Sequence, residues 1–155
     1  MIRTELLTRR LTLVFLAGAA LTPFAARADR PQISVHKDPG CGCCDGWVEH
    51  LQANGFSVHV IETYGLNRVK ARLGVPADLA ACHTAEMGSY LLEGHVPAEA
   101  IEKLLREQPK ARGLAVPGMP AGSPGMGGEP EDYEVILFGG DGNRVFGKYR
   151  GDKAV

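Results

Sequence analysis

Residues 38–51 read DPGCGCCDGWVEHL, which sets Cys41, Cys43 and Cys44 within four positions, between a turn and a predicted helix. Three chemistries use such a cluster: dithiol exchange, soft-metal binding and structural bridging. Bridging is the weakest of these. Sulfurs crowded into one turn cannot tie distant parts of a fold together, and 155 residues are enough to bury a core without staples. Cys41 and Cys44 stand three apart at the mouth of a helix that follows a strand, the C-x-x-C placement of thioredoxin-like proteins. There the helix N–H groups and macrodipole favour a thiolate, which is both a nucleophile and a metal ligand. In an exchanger Cys41 attacks and Cys44 resolves. Cys43 is then surplus and would compete for the mixed disulfide, whereas three thiolates spaced by small Gly40 and Gly42 can converge on a soft metal.

Cys82, in AACHTAEMGSY, is remote in sequence and adjoins His83. Alone it reads equally well as a buried, inert thiol. With a histidine beside it and an unpaired sulfur in the first motif, it is the expected fourth ligand. The Gly/Pro-rich segment 113–130, GLAVPGMPAGSPGMGGEP, holds Met119 and Met126, each in a Pro-Gly-Met triplet; a plain linker has no need of them. Gly118-Met119-Pro120 matches the cis-proline loop that faces the cysteines in thioredoxin-like folds. A thioether is therefore expected toward the sulfurs, with a cis bond at Pro120, or at Pro117 as the competing position. Thiolate, thioether and imidazole form a soft donor set that suits Cu(I) ahead of zinc or an iron–sulfur cluster. Copper is the expected metal, and bridging thiolates allow more than one ion. Among the other histidines, His36 ends the first strand near the cysteines. His95 either fixes its loop by a hydrogen bond or joins the site. His50 and His59 read as structural or surface residues, and Trp47 and Met87 as core.

The elements that must carry these residues follow from pattern. QISVHK (32–37) alternates as a strand, helical spacing from Cys44 or Asp45 puts Trp47, Val48 and Leu51 on one face up to Asn54-Gly55, and FSVHVIE (56–62) is a second strand. Together they make a βαβ unit whose first loop carries the cysteines. Residues 66–74 predict a short helix, 88–94 a strand and 98–108 an amphipathic helix after Pro97. Segment 113–130 is expected to be irregular throughout. YEVILF and RVFGKY, with 5 residues between them, predict a terminal hairpin. The expected fold class is α/β: a thioredoxin-like βαβ core with added helices and a Gly/Pro/Met-rich loop before a C-terminal β-hairpin.

Arg3, Arg9 and Arg10 precede the apolar run Leu11–Leu21, and Ala26-Arg27-Ala28 has the form of a cleavage site, so residues 1–28 read as an export signal and 29–155 as one metal-binding domain. The run is short for a membrane anchor and is interrupted by Gly18 and Pro23. Arg9-Arg10 touches on the twin-arginine route, but Thr12 fits it poorly and the general secretory route is favoured. The chain has 17 basic and 18 acidic residues; loss of Arg3, Arg9, Arg10, Arg27 and Glu5 leaves a net charge of −4. A mildly acidic product excludes nucleic acid and anionic membrane as partners.

CGCC after a strand, CHTAEMGSYLLEGHVP and GLAVPGMPAGSPGM together resemble the small exported copper-resistance proteins of the CopG family, over about residues 33–150. The resemblance implies a thioredoxin-like domain with a metal-binding extension, in the periplasm of a Gram-negative bacterium. It implies copper held by Cys41, Cys43, Cys44 and Cys82, with Met119, Met126 and His83 as further ligands, and interconversion of Cu(I) and Cu(II). The implied partners are copper efflux or redox proteins of the periplasm. Two alternatives remain: a thiol–disulfide oxidoreductase using Cys41 and Cys44, and a passive copper carrier to an efflux system.

Overall fold

The computed structural model describes residues 30–155; the predicted export signal lies outside them. Strand β1 (Ile33–Lys37) is buried along nearly its whole length because it has a neighbour on each side. It pairs in parallel with β2 (Val58–Glu62), and helix α1 (Gly42–Ala53) joins them, so the predicted βαβ unit is present. Helix α1 starts two or three residues earlier than its apolar spacing predicts. Cys41 stands at its N-cap and Cys43 and Cys44 lie in its first turn.

Helix α2 (Leu66–Leu73) follows, then a short 3₁₀ turn (Ala77–Leu79) and a hairpin, β3 (His83–Met87) and β4 (Tyr90–Glu93). The sequence reading contains β4 but not β3. Strand β3 lies between β1 and β4, and four of its five residues are buried, so it lacks the two-residue alternation of a half-exposed strand. Its register is decisive for the site. It runs antiparallel to β1 with Lys37 opposite His83, so the residue before β3, Cys82, arrives beside the turn that leaves β1 for the cysteines.

Helix α3 (Ala98–Glu107) leads from β4 to β5 (Gly113–Ala115), parallel to β4. The expectation that 113–130 is irregular throughout is corrected here: its first three residues are fully buried and paired to both neighbouring strands, which outweighs the local Gly/Pro signal. Strands β6 (Asp132–Phe138) and β7 (Arg144–Arg150) form the predicted hairpin, and β8 (Lys153–Ala154) closes one mixed sheet of order β2-β1-β3-β4-β5-β6-β7-β8.

Successive side chains serve opposite faces of the sheet. Leu92 and Leu114 join Trp47, Leu51, Ile101 and Leu104 in the main core, under α1 and α3. Leu91, Ala115 and Phe138 form a smaller cluster with Leu79 and, at the end of α2, Leu73. The Trp47 indole donates to the Val96 carbonyl at 2.9 Å, which satisfies a fully buried polar atom. Among the described residues no peptide bond is cis, so the expected cis-proline loop is also corrected. The segment 116–120 leaves β5, three strands from β1, whereas the loop before β3 enters next to it. No helix among the described residues is long and apolar enough to cross a membrane.

Candidate metal centre

The turn after β1 and the start of α1 bring Cys41, Cys43 and Cys44 together, and the β1–β3 register supplies Cys82. The four sulfurs all lie within 4.8 Å of one another. Cys41 and Cys44 are joined as a disulfide, and Cys43 and Cys82 are free thiols. The Cys41 and Cys43 sulfurs are 3.6 Å apart, and Cys44 Sγ is 3.8 Å from the Cys82 carbonyl oxygen. Cys44 is fully buried, while Cys41 is partly open to solvent. Burial, and then the adjacent Cys43 thiol, push the Cys82 thiol up to about 12. At neutral pH Cys82 is therefore a thiol, and a metal must displace its proton.

Two histidines extend the cluster. Cys82, His83 and His95 form a second group whose donor atoms lie within 4.8 Å of one another. His95 Nδ1 donates to the Pro124 carbonyl at 2.6 Å, which leaves the Nε2 lone pair facing Cys82 Sγ at 3.0 Å. A hydrogen bond to one ring nitrogen that fixes the other as a Lewis base is the arrangement metal-ligating histidines use. His83 Nδ1 is 3.3 Å from Cys82 Sγ, and its fully buried Nε2 has no hydrogen-bond partner. Burial, and then the cost of adding a second positive charge beside His95 and Lys70, hold the His83 imidazole well below its ordinary value and therefore neutral. Its ring centroid lies 4.3 Å from that of Trp47, with the planes tilted, and 5.1 Å from that of His95, edge to face. Thiols, neutral imidazoles and one orphaned buried nitrogen are a donor set that fits copper.

The Gly/Pro/Met loop docks on this centre by backbone. Gly125 packs against the start of α1 so tightly that a Cβ there would lie 2.4 Å from the Trp47 backbone nitrogen and 2.5 Å from the Cys43 carbonyl oxygen, and its φ is +86°. Gly46 gives the matching clearance on the helix, where a Cβ would sit 2.9 Å from Gly125 Cα. Met126 follows directly and is partly buried; Met119 is 43% exposed with φ at +51°.

Two solved chains, described as copper resistance protein CopG in forms 1 and 2, are each 45% identical to this chain with a TM-score of 0.72. The match spans 77% of this chain and 98% of form 2, and 79% and 99% for form 1. The chain belongs to the CopG family of copper resistance proteins. The family described as "Protein of unknown function, DUF411" matches residues 79–126, which include Cys82, His83, His95, Met119 and Met126. No curated protein matches the sequence.

In this CopG-family chain two buried lysines brace the site, and neither is visible in the sequence pattern. Lys37, 1% exposed at the end of β1, reaches the carbonyls of Asp38 and Pro39 at 3.3 and 3.5 Å and the carboxylate of Asp45 at 3.0 Å. It thus ties the turn before Cys41 to the first turn of α1. Lys70 on α2 pairs with the fully buried Glu93 and lies 2.7 Å from the Thr84 hydroxyl. Glu93 also accepts from the Ala81 N–H and the Thr84 hydroxyl, both at 2.6 Å, so one carboxylate holds the residues on either side of Cys82-His83. The remaining histidines are engaged elsewhere or exposed. His36 pairs with Glu86 at 3.0 Å, His50 Nε2 accepts from the Ala98 N–H at the start of α3, and His59 is exposed.

Proposed function

We propose that this chain is a periplasmic copper-binding protein of copper resistance, exported by the signal at residues 1–28, which holds copper through Cys41, Cys43, Cys44 and Cys82. The observation that carries the reading is the convergence of four sulfurs from two remote segments at the start of one helix. His95 and His83 are the imidazole donors on the Cys82 side, and Met126 and Met119 the candidate thioethers of the docked loop. The parallel β1–α1–β2 unit, with its C-x-x-C pair at the helix start, supports a thioredoxin-like core to which β5–β8 are added. Bound copper would supply one-electron chemistry, Cu(I) to Cu(II); the chain's part is to give soft, buried ligands that favour Cu(I). Binding requires reduced sulfurs, and the Cys82 proton leaves as metal enters.

The test is anaerobic titration of the reduced, metal-free chain with Cu(I) against a competing chelator. Cys43→Ser and Cys82→Ser are each expected to weaken binding far more than an exposed Ser control substitution. If Cys82→Ser binds as tightly as the native chain, the four-sulfur centre is wrong.

The Cys41–Cys44 disulfide favours a second reading, a thiol–disulfide oxidoreductase in which Cys41 is attacked first because it is the open sulfur of the pair. That reading requires Cys43→Ser to keep full disulfide-reductase activity and to bind copper no more weakly than the native chain.

A further inference from the structure

A trough runs from the sulfurs along the start of α2. Its inner part, a cavity of about 430 Å³, is lined by Asp38, Cys41, Tyr64, Arg68, Lys70 and Cys82, among others. Its outer part, also about 430 Å³, shares Tyr64, Gly65 and Arg68 with the first and ends at Arg72. Arg68 and Arg72 are four apart on α2 and so lie on one face, where like charges disfavour the helix. The helix carries no acidic residue, LNRVKARL, and neither arginine has an ion-pair partner among the described residues. The third cation, Lys70, is taken up by Glu93. Among the described residues Asp38 is the one carboxylate on the lining. Arg68, which lines both parts, and Arg72, which lines the outer one, are therefore unpaired guanidiniums on a trough that also holds the open sulfur of a disulfide. Cavities of this size take small ligands rather than folded partners.

We propose that this trough binds a small anionic thiol, of the dicarboxylate tripeptide class, which reduces the Cys41–Cys44 disulfide. Its carboxylates meet Arg68 and Arg72 while its sulfur reaches Cys41. The thiolate attacks Cys41 Sγ, an S–S bond forms between ligand and Cys41, and the Cys41–Cys44 bond breaks with its electron pair on Cys44 Sγ. That leaving thiolate sits in the first turn of α1, where helix N–H groups favour negative charge. A second thiol of the same class attacks the ligand sulfur of the mixed disulfide, leaving as the oxidised dimer and freeing Cys41. Two thiols supply two electrons and their two protons, which the cysteines or solvent take up. The proposal rests on the copper reading only in that Cys41 and Cys44 must be reduced to hold metal. Its test uses no copper, so either can fail alone.

The experiment follows reduction of the disulfide in the metal-free full chain by alkylation and mass spectrometry. The probes are glutathione and its diethyl ester, each rate normalised to its thiolate fraction. At low salt the free acid is expected to react about tenfold faster than the ester. The ratio should fall to about one in Arg68→Gln/Arg72→Gln, and also in about 0.5 M salt. Arg144→Gln, on the distant hairpin, should leave it unchanged. A ratio near one in the native chain, a ratio that survives the double substitution, or an equal loss in Arg144→Gln would each overturn the site.

Discussion

Replacement of Glu93 by glutamine tests whether the Cys82-His83 loop is held by charge as well as shape. The native carboxylate is fully buried and accepts from the Ala81 N–H, the Thr84 hydroxyl and Lys70, which is itself 6% exposed. Glutamine keeps the outline and some of the hydrogen bonds but leaves the Lys70 ammonium with a hydroxyl and an amide in a site shielded from water. Breaking one side of a buried pair costs about 3–5 kcal/mol, because the partner's charge stays uncompensated. A domain stable by about 5–15 kcal/mol would lose a large part of that, seen as a Tm lower by about 10 °C. Adding Lys70→Met removes the stranded charge and is expected to return about 1–3 kcal/mol.

The assay is urea unfolding of the metal-free protein followed by fluorescence of Trp47, which is fully buried and touches the His83 ring. Because Glu93 grips residues 81 and 84, Glu93→Gln should also raise the alkylation rate of Cys82 under native conditions. A cost below about 1 kcal/mol, or a double variant no more stable than Glu93→Gln alone, would refute the argument.

Three other outcomes follow from the geometry. His95→Phe removes both the bond to Pro124 and the nitrogen facing Cys82, and is expected to weaken Cu(I) binding by about 10- to 100-fold in chelator competition. The Cys82 proton, pushed up to about 12 by burial, must leave when metal binds, so Cu(I) affinity should fall about tenfold per unit of acidification between about pH 6 and 8 from this thiol alone. A flat profile there would place Cys82 outside the ligand set. Gly125→Ala, with φ at +86° and backbone 2.4 Å from the new Cβ, should undock the loop. Limited proteolysis should then cut within residues 117–130 of the variant while sparing the native chain.

The elements legible in the sequence are those whose apolar residues recur at a clear strand or helix spacing. QISVHK, the Trp47–Leu51 helix face, AEAIEKLLREQ and the terminal hairpin all show their period, and all are present within a residue or two. The hidden elements are β3 and β5, whose short runs, HTAEM and GLA, hold few large apolar residues. In HTAEM (83–87) Ala85 and Met87 are the only apolar residues and make a weak period, although Gly88-Ser89, with Gly88 at φ +58°, is a two-residue hairpin signal for it. The cysteine-facing loop expected at Gly118-Met119-Pro120 is instead the loop before β3. Cys82 is legible through its neighbour His83 and the odd sulfur of the first motif, but only the Lys37–His83 register explains its position. Lys70 and Glu93 could not be paired from sequence. Each reads locally as a solvated charge, and nothing along the chain relates a cation on α2 to a carboxylate 23 residues later.

The two readings of the centre, copper holder and disulfide exchanger, draw on the same electron pairs. A sulfur in a disulfide carries no thiolate charge to give a metal, so Cys41 and Cys44 serve one role or the other at any moment. The remaining donors are not bound by that choice. Cys43 is outside the disulfide, and Cys82, His83 and His95 stay grouped while Cys41 and Cys44 are joined. On the proposed reading oxidation therefore removes the pair of ligands at the helix start and spares the imidazole side, whereas reduction adds two sulfurs to a group already assembled. On the proposed reading Cys43 is then the donor that touches both halves. It lies 3.6 Å from Cys41 and against Cys82, whose proton it helps to retain. A dithiol exchanger has no use for a sulfur in that position, but a centre whose capacity for soft metal follows its own redox state does.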